Sequence, residues 1–94
     1  MKKQYELTIM LATDLKDEAR DKLTDKMEKT VKTLEGRVIK TLEMGRKQLA
    51  YKIGGQTEAV FLDMVLEMPP TAVVQLEKKL TVDREILRHL LVVA

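Results

Sequence analysis

The chain has 94 residues, 45% apolar and 34% charged, with a net charge of +2. This is the composition of a soluble globular chain, with residues 1–94 as a single domain, and the length excludes a two-domain enzyme. Cysteine, serine and asparagine are absent and His89 is the one histidine, so disulfides, thiolate metal sites and the usual nucleophile constellations lack their parts and no cofactor or metal is expected.

Met1-Lys2-Lys3 leads directly into an alternating pattern without an apolar signal segment, and no run reaches the length of a membrane span. A cytoplasmic protein with no membrane partner is expected. Residues 3–12 alternate, with Tyr5, Leu7, Ile9 and Leu11 on the face assigned to the core and Glu6, Thr8 and Met10 on the other. Thr13-Asp14 offers a side-chain oxygen to cap a helix over 15–34, and Asp17 and Glu18 complement the positive end of its dipole. Leu15, Ala19, Leu23, Met27, Val31 and Leu34 form its apolar stripe, and Gly36 is assigned the left-handed residue that ends it. A coiled-coil or membrane-surface helix is disfavoured by an outer face of mixed sign.

Residues 37–53 read as a long strand bent or bulged at Gly45, after which Leu49, Tyr51 and Ile53 share a face. Gly54-Gly55 signals a turn into a hairpin, with a loop longer than two residues before a strand over 59–68. That strand sets Val60, Leu62, Met64, Leu66 and Met68 against Ala59, Phe61, Asp63, Val65 and Glu67, so it is expected to be central. Pro69-Pro70 stops it, a helix over 71–80 aligns Val73, Leu76 and Leu80, and 85–93 make a last strand whose core face the pattern leaves open. Strand, helix, strand, strand, helix, strand favours the split β-α-β arrangement, with a four-stranded antiparallel sheet in the order 4-1-3-2 and two helices on one face.

Charge is unevenly distributed along the chain. Residues 37–52 carry +4 and 53–77 carry −4, a pattern that suggests either two partners or one surface with two regions. Arg46, Lys47 and Lys52 can donate to phosphate, although charge on an edge strand also protects it from aggregation. Tyr51 is assigned to the core with Leu49 and Ile53 rather than to a stacked base. His89 has no second ionisable group identifiably placed beside it and is read as structural. The uncovered sheet face, with one aromatic and three acids, suits a basic protein better than RNA stacked across its central strands.

Gly45-Arg46-Lys47-Gln48-Leu49-Ala50-Tyr51, followed by Ile53, resembles the signature of the family of bacterial small-subunit ribosomal protein number six. Tyr5-Glu6, Gly36-Arg37-Val38, Phe61, Glu67 before Pro69, and Ile86-Leu87-Arg88 agree with it, whereas Lys52 stands where the family usually has proline and the family's variable carboxy-terminal tail is absent. The resemblance implies an α+β, ferredoxin-like βαββαβ fold and a non-catalytic role in the small ribosomal subunit. There it would bind the central domain (platform) of small-subunit ribosomal RNA, together with the basic small-subunit ribosomal protein number eighteen. Arg46 and Lys47 are the expected RNA contacts, with Lys2, Lys3 and Arg88 behind them, and Phe61, Asp63 and Glu67 are expected to face the protein partner. A regulatory domain of the same topology that binds a small ligand or self-associates is the alternative, but it gives no reason for the +4 segment. A small enzyme would need a nucleophile or an acid–base pair, and neither is found.

Overall fold

The computed structural model describes residues 2–53 and 55–94. The elements run β1 (Lys3–Leu11), α1 (Asp17–Thr33), β2 (Arg37–Ile53), β3 (Gln56–Met68), a single 3-10 turn (Pro70–Ala72), α2 (Val73–Val82) and β4 (Ile86–Val93). The four strands form one antiparallel sheet in the order β2-β3-β1-β4, which is the expected order read from the other edge.

The expected core faces of the two central strands are the observed ones. Tyr5, Leu7, Ile9 and Leu11 from β1 and Val60, Leu62, Met64, Leu66 and Met68 from β3 are buried in one cluster with Leu23, Met27 and Val31 of α1 and Leu76 and Leu80 of α2. Both helices therefore pack on one face, and burying each such aliphatic side chain contributes about 1.5–3 kcal/mol. Pairing with β1 resolves β4. Ile86 lies opposite Leu11, His89 opposite Ile9 and Leu91 opposite Leu7 on the helix side, while Arg88, Leu90 and Val92 lie opposite Met10, Thr8 and Glu6 on the open side.

Several local expectations are corrected. Helix α1 starts at Asp17, two residues later than expected, and no side chain caps it. Leu15 N–H donates to the Ala12 carbonyl instead, a backbone turn that delays the helix past Thr13-Asp14. At its other end the left-handed residue is Glu35, at φ 65°, and not Gly36. Glu35 N–H donates to Lys32 O and Gly36 N–H to Val31 O, the paired bonds of a Schellman ending. Gly36 is needed one position further on for a different reason. A Cβ there would stand 2.5 Å from the Glu67 carbonyl oxygen and 2.7 Å from Met68 Cβ, so the chain can cross β3 at that distance only without a side chain.

The expected bulge is present. Gly45 takes φ 78°, and the β2–β3 register shifts between Glu43 and Gly45, as it also does between Val38 and Lys40. The hairpin loop, however, is two residues, because β3 begins at Gln56, which pairs with Ile53; Gly54 lies outside the described residues. The polar residues Gln56, Thr57 and Glu58 are in the strand because the hairpin continues past the end of β1, whose last partner is Val60. Among the described residues no third strand crosses that extension. Tyr51 consequently is not a core residue: it is 61% exposed, while Leu49 and Ile53 are half-buried.

Candidate functional site

Register and alternation place side chains on the open face in rows across the sheet. One row runs Arg88, Met10, Phe61, Gly45 from β4 to β2; the next is Leu90, Thr8, Asp63, Leu42; then come Val92, Glu6, Val65, Lys40; and Glu67 lies between Gln4 and Arg37. The first row is extended by the hairpin. Lys47, opposite Ala59, brings its Nζ over the Phe61 ring at 5.5 Å from the centroid, and Arg88 Nη1 donates to Tyr51 Oη at 2.8 Å. The Arg88 guanidinium also lies 5.9 Å from the Tyr51 ring centre.

The expected RNA contacts are not one patch. Lys47 and Arg88 both project on the open face, one over Phe61 and the other at Tyr51. Arg46, opposite Val60, points to the helix side, where its Nη1 is 3.9 Å from Glu58 Oε2 and it lines a depression with Thr13, Lys16 and Arg20. Lys3 pairs with Met68 at the far end of β1, roughly 23 Å from the Met10 row at about 3.3 Å per residue. Lys2 precedes it and is exposed.

The −4 segment is not one surface either. Glu58 shares the helix side with Val60, Glu77 lies on α2, and only Asp63 and Glu67 reach the open face. Both are engaged: Thr8 Oγ1 donates to Asp63 Oδ1 at 3.2 Å, and Arg37 Nε to Glu67 Oε1 at 3.2 Å. The acid that the segment count misses is Glu6, exposed between Val65 and Val92, with no ion pair among the described residues. Its neighbours Leu90 and Val92 are 58% and 42% exposed. The signal was present in the alternation of residues 5–11, which sets Glu6 opposite the buried face.

This face therefore has two chemistries. Around Phe61 it offers two cations and two rings, and around Glu6 it offers apolar side chains and carboxylates. Among the described residues no group of three or more His, Cys, Asp or Glu side chains converges as a metal site would require, and no helix is long and apolar enough to cross a membrane. His89 is half-buried opposite Ile9.

A family model described as ribosomal protein S6 matches residues 4–93. The small ribosomal subunit protein bS6 of Salinispora arenicola is 31% identical over 86 residues, covering 92% of this chain and 90% of its own length. That of Gloeobacter violaceus is 29% identical over 92 residues, covering 98% and 96%. The crystal structure of 30S ribosomal protein S6 from Thermotoga maritima superposes with a TM-score of 0.92 over 100% of this chain and 89% of that one, at 22% identity, a likeness of fold.

Proposed function

The chain belongs to the ribosomal protein S6 family, and from that premise we propose that it binds the central domain of small-subunit ribosomal RNA together with the basic small-subunit ribosomal protein number eighteen. The family is one of small-subunit ribosomal proteins of the cytoplasmic ribosome and not an enzyme family. In this reading residues 1–94 act as one domain that holds RNA and protein in fixed relation and catalyses nothing.

The observation that supports it most is the division of the open face. A polyanion and a basic protein need opposite surfaces, and the sheet offers both within two rows. Lys47 and Arg88 are the phosphate contacts of the Phe61 end. Leu90, Val92 and Glu6, with Asp63 beside them, are the seat for the protein partner, Phe61 lying at the boundary and Glu67 at the margin. Apolar contact there supplies most of the affinity, since exposed ion pairs contribute only about 0–1 kcal/mol each. Glu6 and its neighbours set the rate of encounter and its salt dependence.

Two measurements test the reading. The tagged protein, expressed in a bacterial cell, should sediment with small subunits through a high-salt gradient. Against the purified partner, Glu6→Lys should slow association at low salt more than Asp63→Lys with Glu67→Lys, because the latter two carboxylates are already bonded within the sheet. Absence from small subunits would defeat the assignment, and an on-rate indifferent to Glu6→Lys would move the partner off this face.

A further inference from the structure

We propose that the Phe61 end of the open face is a stacking site for an unpaired nucleotide, with Tyr51 and Phe61 as the platform and Lys47 and Arg88 on the adjoining phosphates. The inference rests on the RNA-binding reading above and names the kind of RNA that this part of the surface takes.

Three features point to a base rather than to duplex or protein. The first is composition: both rings of the open face stand here, each beside a cation, and no carboxylate shares the row. Glu43, opposite the buried Leu62, and Glu58 lie on the helix side, and Asp63, one row away, is already bonded to Thr8. An exposed ring at Tyr51 and a half-buried one at Phe61, each beside a cation, match a base joined to phosphate, because every base offers a π-face and every linkage a negative charge. A duplex keeps its bases stacked on one another and has none to lend.

The second feature is order. Tyr51 is 61% exposed, yet Arg88 holds it, donating to its hydroxyl at 2.8 Å with the guanidinium over the ring at 5.9 Å from its centre, so a base would settle on the ring face away from Arg88. A side chain held in place before binding loses less freedom when a base settles on it. The third feature is room. Gly45 ends the Phe61 row on the β2 side, and a Cβ built on it meets nothing within 4 Å. The flank of Phe61 is thus open at its outer side, and the long Lys47 stem that covers the ring can swing toward a phosphate.

A protein strand on this face would seek the neighbouring rows instead, where Leu90, Val92 and Val65 are apolar and Glu6 awaits a cation. The two ends of one sheet thereby accept two classes of partner without competing.

The test uses the full chain and fluorescently labelled, unstructured RNA of about eight nucleotides, a length within the range of stacking grooves, as oligo-A and oligo-U. Binding read by anisotropy should favour oligo-A, the base with the larger π-face. Tyr51→Ala and Phe61→Leu should each weaken it about tenfold or more, the effect of losing one stacked base. Tyr51→Phe should keep most of the affinity, since it retains the ring and loses only the hydroxyl. Lys47→Gln should lower the slope of log affinity against log salt by about one while Tyr51→Ala leaves that slope unchanged. Tyr51 is exposed, so its variants fold whether or not Phe61→Leu does. The proposal is overturned if Tyr51→Ala binds oligo-A as the parent does. It is equally overturned by a lack of saturable binding at about 0.1 mM protein, the weak limit of non-specific association. Loss of binding to the basic partner protein, with RNA affinity unchanged, would assign the rings to protein instead. Each of these failures can occur with normal incorporation into small subunits, which would leave the family role standing and remove only the stacking site.

Discussion

Strands β2 and β3 are hydrogen-bonded neighbours, yet they play opposite parts. β3 buries Val60, Leu62, Met64, Leu66 and Met68 beneath the helices, whereas no residue of β2 is fully buried and only Val38, Leu49 and Ile53 are even half-covered. The cause is position in the sheet. β3 has a strand on each side and helices across one face; β2 is an edge, and beyond Arg46 it runs past the end of β1 as half of a two-stranded ribbon. Alternation reports that a segment is pleated and paired, while the covering of its faces depends on what lies beside it. The inner strand accordingly carries stability, and the edge displays Arg37, Lys40, Lys47 and Tyr51 to solvent.

The comparison is broken most directly by truncating one leucine in each strand. Leu66 on β3 is fully buried and Leu42 on β2 is 45% exposed. Leu66→Ala should cost about 2–5 kcal/mol through lost transfer energy and the cavity left behind. Leu42→Ala should stay within about 0.5 kcal/mol, as surface changes usually do. Urea unfolding, with midpoints compared at constant slope, reads both. Equal losses would mean that β2 is buried in a way its exposure does not reveal.

A second pair of substitutions sharpens the contrast at the backbone. At Gly36 an added methyl would meet a carbonyl oxygen and a core side chain on β3, neither of which can move without disturbing the central strand. Gly36→Ala should therefore cost about 1–3 kcal/mol by overpacking, or more. At Gly45 an added methyl has open space and opposes only the positive φ, for which an L-residue loses roughly 1–2 kcal/mol. With about 4–8 °C per kcal/mol for a domain of this size, Gly36→Ala should lower the melting temperature more than Gly45→Ala. The reverse order would mean that the bulge, and not the crossing at β3, is the tighter constraint.

These cases also mark how far the residues alone could be read. The core faces of β1 and β3 were legible because an unbroken period of two coincided with helices whose apolar stripes had to be covered. The bulge was legible because a lone glycine in such a run has few other uses. Tyr51 was misassigned because a shared face of Leu49, Tyr51 and Ile53 looks like a core; that β1 stops short of it is a fact about another strand. The helix ending was read one residue late for a similar reason, since a glycine after a helix usually supplies the left-handed residue, which here is Glu35, and the need for Gly36 comes from Glu67 and Met68, far along the chain. Charge summed along residues 53–77 joins carboxylates that pleating and a helix distribute over different sides, while Glu6, legible as an acid of the open face, lies outside that segment and was not among the expected partner contacts. The opposition of Arg46 and Lys47 needed nothing beyond the period of two.

That opposition supplies the smallest predicted effect on stability and a direct test of which side of β2 meets RNA. Arg46 and Glu58 approach to 3.9 Å with side chains 62% and 39% exposed, an ion pair worth about 0–1 kcal/mol at most. Lys47 over Phe61 is a partly exposed cation–ring contact of about 0.5–1 kcal/mol. Arg46→Gln and Lys47→Gln should thus both fold with nearly parental stability, and differences between them in RNA binding can be read without correction for unfolding. Measured on the ribosomal RNA fragment with the partner protein present, Lys47→Gln should reduce the salt slope by about one, the change expected when one phosphate contact is lost, without altering base preference. Arg46→Gln should leave the slope unchanged. If Arg46→Gln lowers it and Lys47→Gln does not, the RNA lies against the depression formed with Thr13, Lys16 and Arg20, and the ribbon presents its helix side to the backbone. If both lower it, the strand's edge is straddled, which the bulge at Gly45 allows because it turns the two consecutive side chains away from a regular pleat.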